Sequence, residues 1–470
     1  MAFLDSTVVN IALPTIGRDF DAPLSGLQWV VNGYLLTLAA LILLGGSLGD
    51  RFGRRRVFVI GVAWFAAASL LCGIAPTLSL LIAARVLQGI GGALLTPGSL
   101  AIIEASFYQD DRGEAIGAWS GLGGIATAIG PFLGGWLIQA VSWRLIFLLN
   151  LPLAIAVIAI SLRHVPESRD PDAPDELDLP GAALAALSLF GITYALIEGP
   201  SLGATSPLVL GTALLGVLSG VAFVVVEQRS SHPMLPLDIF RSRQFTGANL
   251  TTFAVYAALS AMLFLLVLQL QQVLGYSPLE AGAATFPLTL LMLVLSPRAG
   301  RLATQIGPRL PMTLGPIVAG LGMLLMARIG PGSTYLRDIL PAVLVFGLGL
   351  ALTVSPLTAT VMAAADASRA GIASAVNNAV ARVAGLIAVA VIPLAAGVTG
   401  DAYLDPAVFS AGFRTGVIYT AILCMLGGLV AWLTIRNPPK PTLECDAGAY
   451  CAIGSPPLRV APFSESKTNA

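Results

Sequence analysis

The chain has 470 residues, 56% hydrophobic and 11% charged, with a mean hydropathy of +0.86 and a formal net charge of zero. Charged residues stand well below the roughly 25% of soluble domains, so no soluble fold can bury this much apolar surface, and lipid must act as solvent for most of it. The balanced charge gives no sign of a nucleic-acid partner, and the placement of charges along the chain matters more than their sum.

Apolar runs of about 20 residues, enough to cross hydrocarbon as helix, are read at 1–17, 28–48, 57–75, 78–104, 113–138, 143–162, 180–198, 206–226, 246–272, 278–299, 310–329, 338–364, 369–398 and 413–435, fourteen in all. Arg51, Arg54, Arg55, Arg56, Arg163, Arg229, Arg241, Arg243, Arg301, Arg309 and Arg436 fall in alternate loops, which by the positive-inside rule puts both termini in the cytoplasm. No basic n-region or cleavage site follows the pattern of a signal peptide.

The first span, MAFLDSTVVNIALPTIG, carries Asp5 and Asn10. Only four residues precede Asp5, a rise of about 6 Å, too short to bring it to mid-bilayer. Met1 is therefore expected to be an internal methionine with the start upstream, or the chain a natural truncation; the rival reading makes Asp5 an interfacial cap. Span 2 contributes Asn32 and Tyr34 and ends in GSLGDRFGRR, with Gly46, Asp50, Arg51, Gly53 and Arg54. The loop after the tenth run, GRLATQIGPR, repeats Gly46, Leu48, Gly53 and Arg55 as Gly300, Leu302, Gly307 and Arg309, with Asp50 replaced by Thr304. That recurrence supports two parallel six-span halves around a midplane cavity. The expected domains are 1–165, an inserted helix pair within 166–245, 246–436, and a disordered tail 437–470.

Span 4 reads RVLQGIGGA, where Gln88, Gly89 and Gly92 share the face of Arg85. An arginine at that depth is costly unless it faces a polar cavity; the alternative is a structural arginine on backbone carbonyls. Span 5 carries a seam of Gly130, Pro131, Gly134 and Gly135, suited to close helix packing. In span 13, Ser374, Asn378, Arg382 and Gly385 share one face, with Asn377 adjacent. This stripe lines the cavity or holds spans together. Glu104 and Glu198 sit at span ends and are read as interfacial. Cys72 and Cys424 lie in apolar runs, and Cys445 and Cys451 in the tail are expected as reduced thiols. Neither pair has metal-ligand spacing with His164 or His232, and no metal is expected.

LDSTVVNIALP, GSLGDRFGRRRVF, RVLQGIGGA, AIGPFLGG and WRLIFLLNLP occur in the order and on the spans of motifs of the major facilitator superfamily. The chain resembles its fourteen-span drug:proton antiporter branch over about residues 1–436. The resemblance implies an all-α membrane protein with the major facilitator fold, two six-helix bundles plus two inserted central helices. It also implies proton coupling at Arg85 with Asp5, a gate latch around Asp50, and an antiporter role for the span 5 seam. The implied activity is proton-coupled export of amphipathic small molecules at the cell membrane, without a cofactor beyond the proton gradient. Its partners would be substrate, protons and the lipid bilayer, with the chain acting as a monomer. Cavity candidates are Asn10, Asn32, Tyr34, Gln88, Asn378 and Arg382 beside Asp5 and Arg85. The other readings are uptake by symport, against which the fifth-span motif speaks, and a transport-inactive membrane sensor or partner protein. Nucleophile motifs, phosphate loops and paired catalytic acids that would mark a membrane enzyme are not visible in the sequence.

Overall fold

The computed structural model describes residues 1–171, 176–364 and 369–437. The side chain of Glu104, together with Cys445, Cys451 and nearly all of the expected tail, lies outside the described residues. The first-half helices are α1 (Ala2–Phe20), α2 (Leu24–Phe52), α3 (Arg54–Ile74), α4 (Leu78–Ser106) and α5 (Gln109–Ala140). A sixth span of α6 (Leu145–Leu148) and α7 (Asn150–His164) completes it. Next come α8 (Leu179–Leu202) and α9 (Pro207–Arg229), then α10 (Arg243–Leu268), α11 (Pro278–Ile306), α12 (Arg309–Met326), α13 (Leu340–Ala363), α14 (Ala370–Ala395) and α15 (Pro406–Thr434). No strand occurs among the described residues.

Among the described residues, thirteen helices are long and apolar enough to cross a membrane. The fourteenth expected span is α1, whose 19 residues include Asp5, Arg18 and Asp19, so no membrane-length stretch of it is free of several charges. It is nevertheless well buried, with Val8, Val9, Ile11, Ala12, Leu13 and Ile16 in the core. By contrast, α9 exposes Leu208, Leu210, Leu214, Val217, Leu218 and Val221, the apolar surface that a lipid-facing helix presents.

The internal repeat extends to whole helices. Both α2 and α11 are 29 residues long, and each closes on a glycine of positive φ, Gly53 at 112° and Gly307 at 88°, a backbone region that only glycine enters without strain. The inserted pair is joined where Gly191 of α8 would meet the Gly216 backbone of α9 if it bore a side chain. Its α8 packs on α2 and α14, one helix from each half.

At the end of the bundle opposite the arginine-rich loops, the halves are tied together. The Gln28 side chain on α2 donates to the Val389 carbonyl on α14 at 2.7 Å, and Gln271 donates to the Ile11 carbonyl on α1 at 2.9 Å. The Tyr403 hydroxyl donates to the Ala22 carbonyl. Toward the arginine-rich end the packing loosens: a methyl group added at Gly124 of α5 would come no closer than 3.8 Å to Leu293 of α11, and one added at Gly121 would meet no other helix within 4 Å.

Candidate functional site

Asp5, Arg85 and Gln88 form one buried network with two residues that the sequence reading does not single out, Ser69 of α3 and Asn150 of α7. All five are between 0% and 1% exposed. Arg85 Nη1 donates to Asp5 Oδ2 at 2.7 Å and to Gln88 Oε1, while its Nε donates to the Val30 carbonyl at 3.1 Å. Gln88 Nε2 lies 2.8 Å from both Asp5 Oδ1 and the Ser69 hydroxyl. Asn150 Nδ2 lies 3.2 Å from the same two oxygens. The guanidinium carbon stands 4.4 Å from the Tyr34 ring centroid and 5.7 Å from that of Phe147, at cation–π distance.

This arrangement follows from where the helices put small residues. Gly89 lies against the Tyr34 carbonyl and Thr37, and Gly91 against the Phe65 backbone, so α4 comes close enough to α2 and α3 for its polar face to reach across. A buried ion pair holds only when its remaining donors and acceptors are satisfied. Here both Asp5 oxygens accept from side chains, and the arginine has three partners on three residues. The pair can respond to a proton, because protonating Asp5 removes the counter-charge of Arg85 and leaves only neutral acceptors.

The remaining candidates are more scattered. Asn10 is half-buried and donates to the Ser6 carbonyl of its own helix at 3.3 Å. Asn32 is fully buried, with neither end of its amide hydrogen-bonded. Asn378 donates to the Ser374 carbonyl of its own helix at 3.1 Å, whereas its neighbour Asn377 crosses to α10 and donates to Asn249 at 3.1 Å and Thr252 at 2.7 Å. Arg382, at the midpoint of α14, is half-buried, and its Nε lacks a hydrogen-bond partner.

In the last turn of α2, Asp50 pairs with Arg54, the first residue of α3, at 2.8 Å. Arg51 lies over Phe52 at 5.1 Å. The N-terminus of α3 is served instead by Glu167, whose carboxylate accepts from the backbone N–H groups of Arg55 and Arg56 at 3.0 and 3.2 Å, a favourable place for an anion. A side chain at Gly53 would collide with Glu167. Gly46 has ordinary room beside Pro97, and the tight glycine is its neighbour Gly45, set against the Ala93 carbonyl. In the α5 seam, Gly130 and Gly134 pack on Thr7 and Val8 of α1, Gly135 meets the Pro278 backbone, and the Pro131 carbonyl fits against Gly282 of α11. The seam therefore contacts both halves.

A profile described as Major Facilitator Superfamily matches residues 1–389. The chain belongs to the Major Facilitator Superfamily. Among its superfamily relatives, Multidrug resistance protein Stp of Mycobacterium tuberculosis is 37% identical over 410 residues, 86% of this chain and 75% of that protein. Methylenomycin A resistance protein of Streptomyces coelicolor is 34% identical over 443 residues, 94% of this chain and 91% of that protein. Tetracenomycin C resistance and export protein of Streptomyces glaucescens is 35% identical over 410 residues, 86% and 75% of the two chains. A solved bacterial homologue of the human drug peptide transporters PepT1 and PepT2 superposes with a TM-score of 0.65 at 16% identity, covering 92% of this chain and 94% of its own. The human organic anion transporter MFSD10 (TETRAN) gives 0.61 at 16% identity, covering 91% and 96%. These two likenesses establish the major facilitator fold. Superfamily membership and the apolar helices make the chain a multi-pass membrane carrier.

Proposed function

We propose that this carrier exports amphipathic small molecules from the cytoplasm in exchange for protons, by alternating access and without covalent chemistry on the substrate. The observation that carries the reading is the buried Asp5–Arg85 pair, braced by Gln88, Asn150 and Ser69. Its support comes from relatives named for resistance and export. With the far end tied by Gln28, Gln271 and Tyr403, substrate enters from the arginine-rich side, taken as cytoplasmic under the positive-inside rule.

When the far end opens, a proton arriving at Asp5 cancels the carboxylate charge, and Arg85 is left with Gln88 and the Val30 carbonyl. Loss of that ion pair loosens α1 from α4. Return to the cytoplasm-open state releases the proton, and the pair re-forms. Alternating exposure of one acid turns the proton gradient into outward transport.

The test is transport by the purified chain in proteoliposomes, with a fluorescent amphipathic probe and an imposed pH gradient. Gradient-driven probe movement accompanied by counterflow of protons is expected, with Asp5→Asn lowering it at least ~100-fold, as for loss of an essential proton carrier. Probe movement that is indifferent to both the gradient and Asp5→Asn overturns the reading.

A further inference from the structure

Two arginines approach the core, and they are not equivalent. Arg85 is neutralised by Asp5 and also donates to Gln88 and the Val30 carbonyl. Arg382 stands at the midpoint of α14, half-buried, with its Nε unpartnered. Among the described residues no carboxylate lies within ion-pair distance of it. Asp5 is engaged by Arg85, Gln88 and Asn150. Among the described residues the Arg382 guanidinium is thus left without a counter-charge at ion-pair distance.

A guanidinium at membrane depth without a counter-charge is costly, and an entering group of opposite charge would relieve that cost. Its planar fork fits a carboxylate or sulfonate through two parallel hydrogen bonds, and it repels a cation. α14 packs against α2 and α10, the helices that carry Tyr34 and Tyr256, so elements of both halves border the segment that bears Arg382. Tyr34 also stacks its ring under Arg85 at 4.4 Å, so a side chain of α2 touches the proton pair.

We propose that the substrate site is an anion site, in which Arg382 receives the acidic group of an amphipathic substrate and the Tyr34 hydroxyl donates to that group. This rests on the export reading and names the substrate class: acidic amphipaths ahead of cationic ones. Because the Tyr34 ring underlies Arg85, occupancy of the site is felt by the Asp5–Arg85 pair, which links substrate to proton.

The experiment measures equilibrium binding of three dansyl-alkyl probes of equal length, ending in a carboxylate, a trimethylammonium or a neutral amide, to the purified full chain. The carboxylate probe is expected to bind about 10-fold or more tighter than the ammonium probe, the scale of a charge-assisted hydrogen-bonded pair. Arg382→Gln should remove that preference while leaving the amide probe within about 3-fold, and Arg382→Lys should keep part of it. Tyr34→Phe should weaken the carboxylate probe by about 3- to 5-fold. Equal or tighter binding of the ammonium probe, or an unchanged carboxylate affinity in Arg382→Gln, overturns the proposal. Transport of the same probes separates the two readings. Carboxylate binding without gradient-driven flux removes export and keeps the anion site, whereas flux of amide or ammonium probe without carboxylate preference removes the anion site and keeps export.

Discussion

In the first half, α4 meets α3 where Gly91 packs on Phe65; in the second, α13 meets α12 where Gly349 packs on Ala319. From these matched contacts the interiors align. Arg85, six residues before Gly91, corresponds to Val343, six before Gly349, and Gln88 corresponds to Phe346. Ser69, four after Phe65, corresponds to Met323, four after Ala319. All six are buried, polar in one half and apolar in the other. The same helix packing is thus achieved with and without a charged interior. What the bundle requires is small residues at the crossings and filled volume. The network in the first half is an addition to that requirement, which is why its meaning is sought in transport.

Arg85→Ala and Phe346→Ala put this contrast under the greatest strain. Stranding the Asp5 carboxylate should cost about 3–5 kcal/mol, and truncating Phe346 a similar ~3–5 kcal/mol, both read as lowered thermal stability in detergent. Proton-driven export should vanish in the first, whereas the protein that remains folded in the second keeps its coupling. Equal loss of coupling in both would erase the distinction between the halves. A sharper version replaces the ion pair alone by apolar side chains, with Asp5→Leu and Arg85→Met together. Stability should be unchanged or raised by about 1–4 kcal/mol, with no exchange activity, as read by the same unfolding and proteoliposome assays.

The loops extend the contrast at smaller scale. Gly53→Ala forces alanine into positive φ, at about 1–2 kcal/mol, and also drives its side chain at Glu167. Gly307→Ala meets the same backbone penalty at φ 88°, so both variants should unfold at a lower temperature than the parent chain. Glu167→Gln, which removes the anion at the start of α3, should cost about 0.3–1 kcal/mol and be measurable as faster amide exchange over Arg54–Val57. The smallest effect concerns Asp238, in the turn before α10, which Arg369 grips at 2.6 Å. The hydrogen bond from Arg369 holds its carboxyl below the usual carboxylate range. Its contribution is therefore present above the ordinary carboxylate pKa of about 4 and is lost as pH falls through the lowered folded value. Amide exchange in Leu237–Arg241 should accelerate at that acid end in the parent chain, and Arg369→Ala should shift the acceleration to higher pH.

The spans were legible in the sequence because long apolar runs have few alternatives, and α1 blurred because three charges break its run. Asp5, Arg85 and Gln88 stood out for their expense in hydrocarbon. Ser69 and Asn150 did not: a serine within AAASLLCG reads as a small packing residue, and Asn150 sits at a helix irregularity beside Leu149. Their roles depend on α3 and α7 arriving beside α4, which no local pattern encodes. Glu167 was hidden for a similar reason, since its target helix begins over a hundred residues earlier. Gly46 drew notice through the repeat, while the close approach belongs to Gly45, because repetition marks kinship and contact marks geometry.

Where α5 crosses α11, the bare main chain at Gly135 and Gly282 meets main chain, with hardly a side chain between. A joint of that kind has no rotamers to rearrange as its two arms tilt, so friction at the fulcrum is low. What such a tilt has to break is the clasp instead, the hydrogen bonds that Gln28, Gln271 and Tyr403 make to carbonyls of the other half.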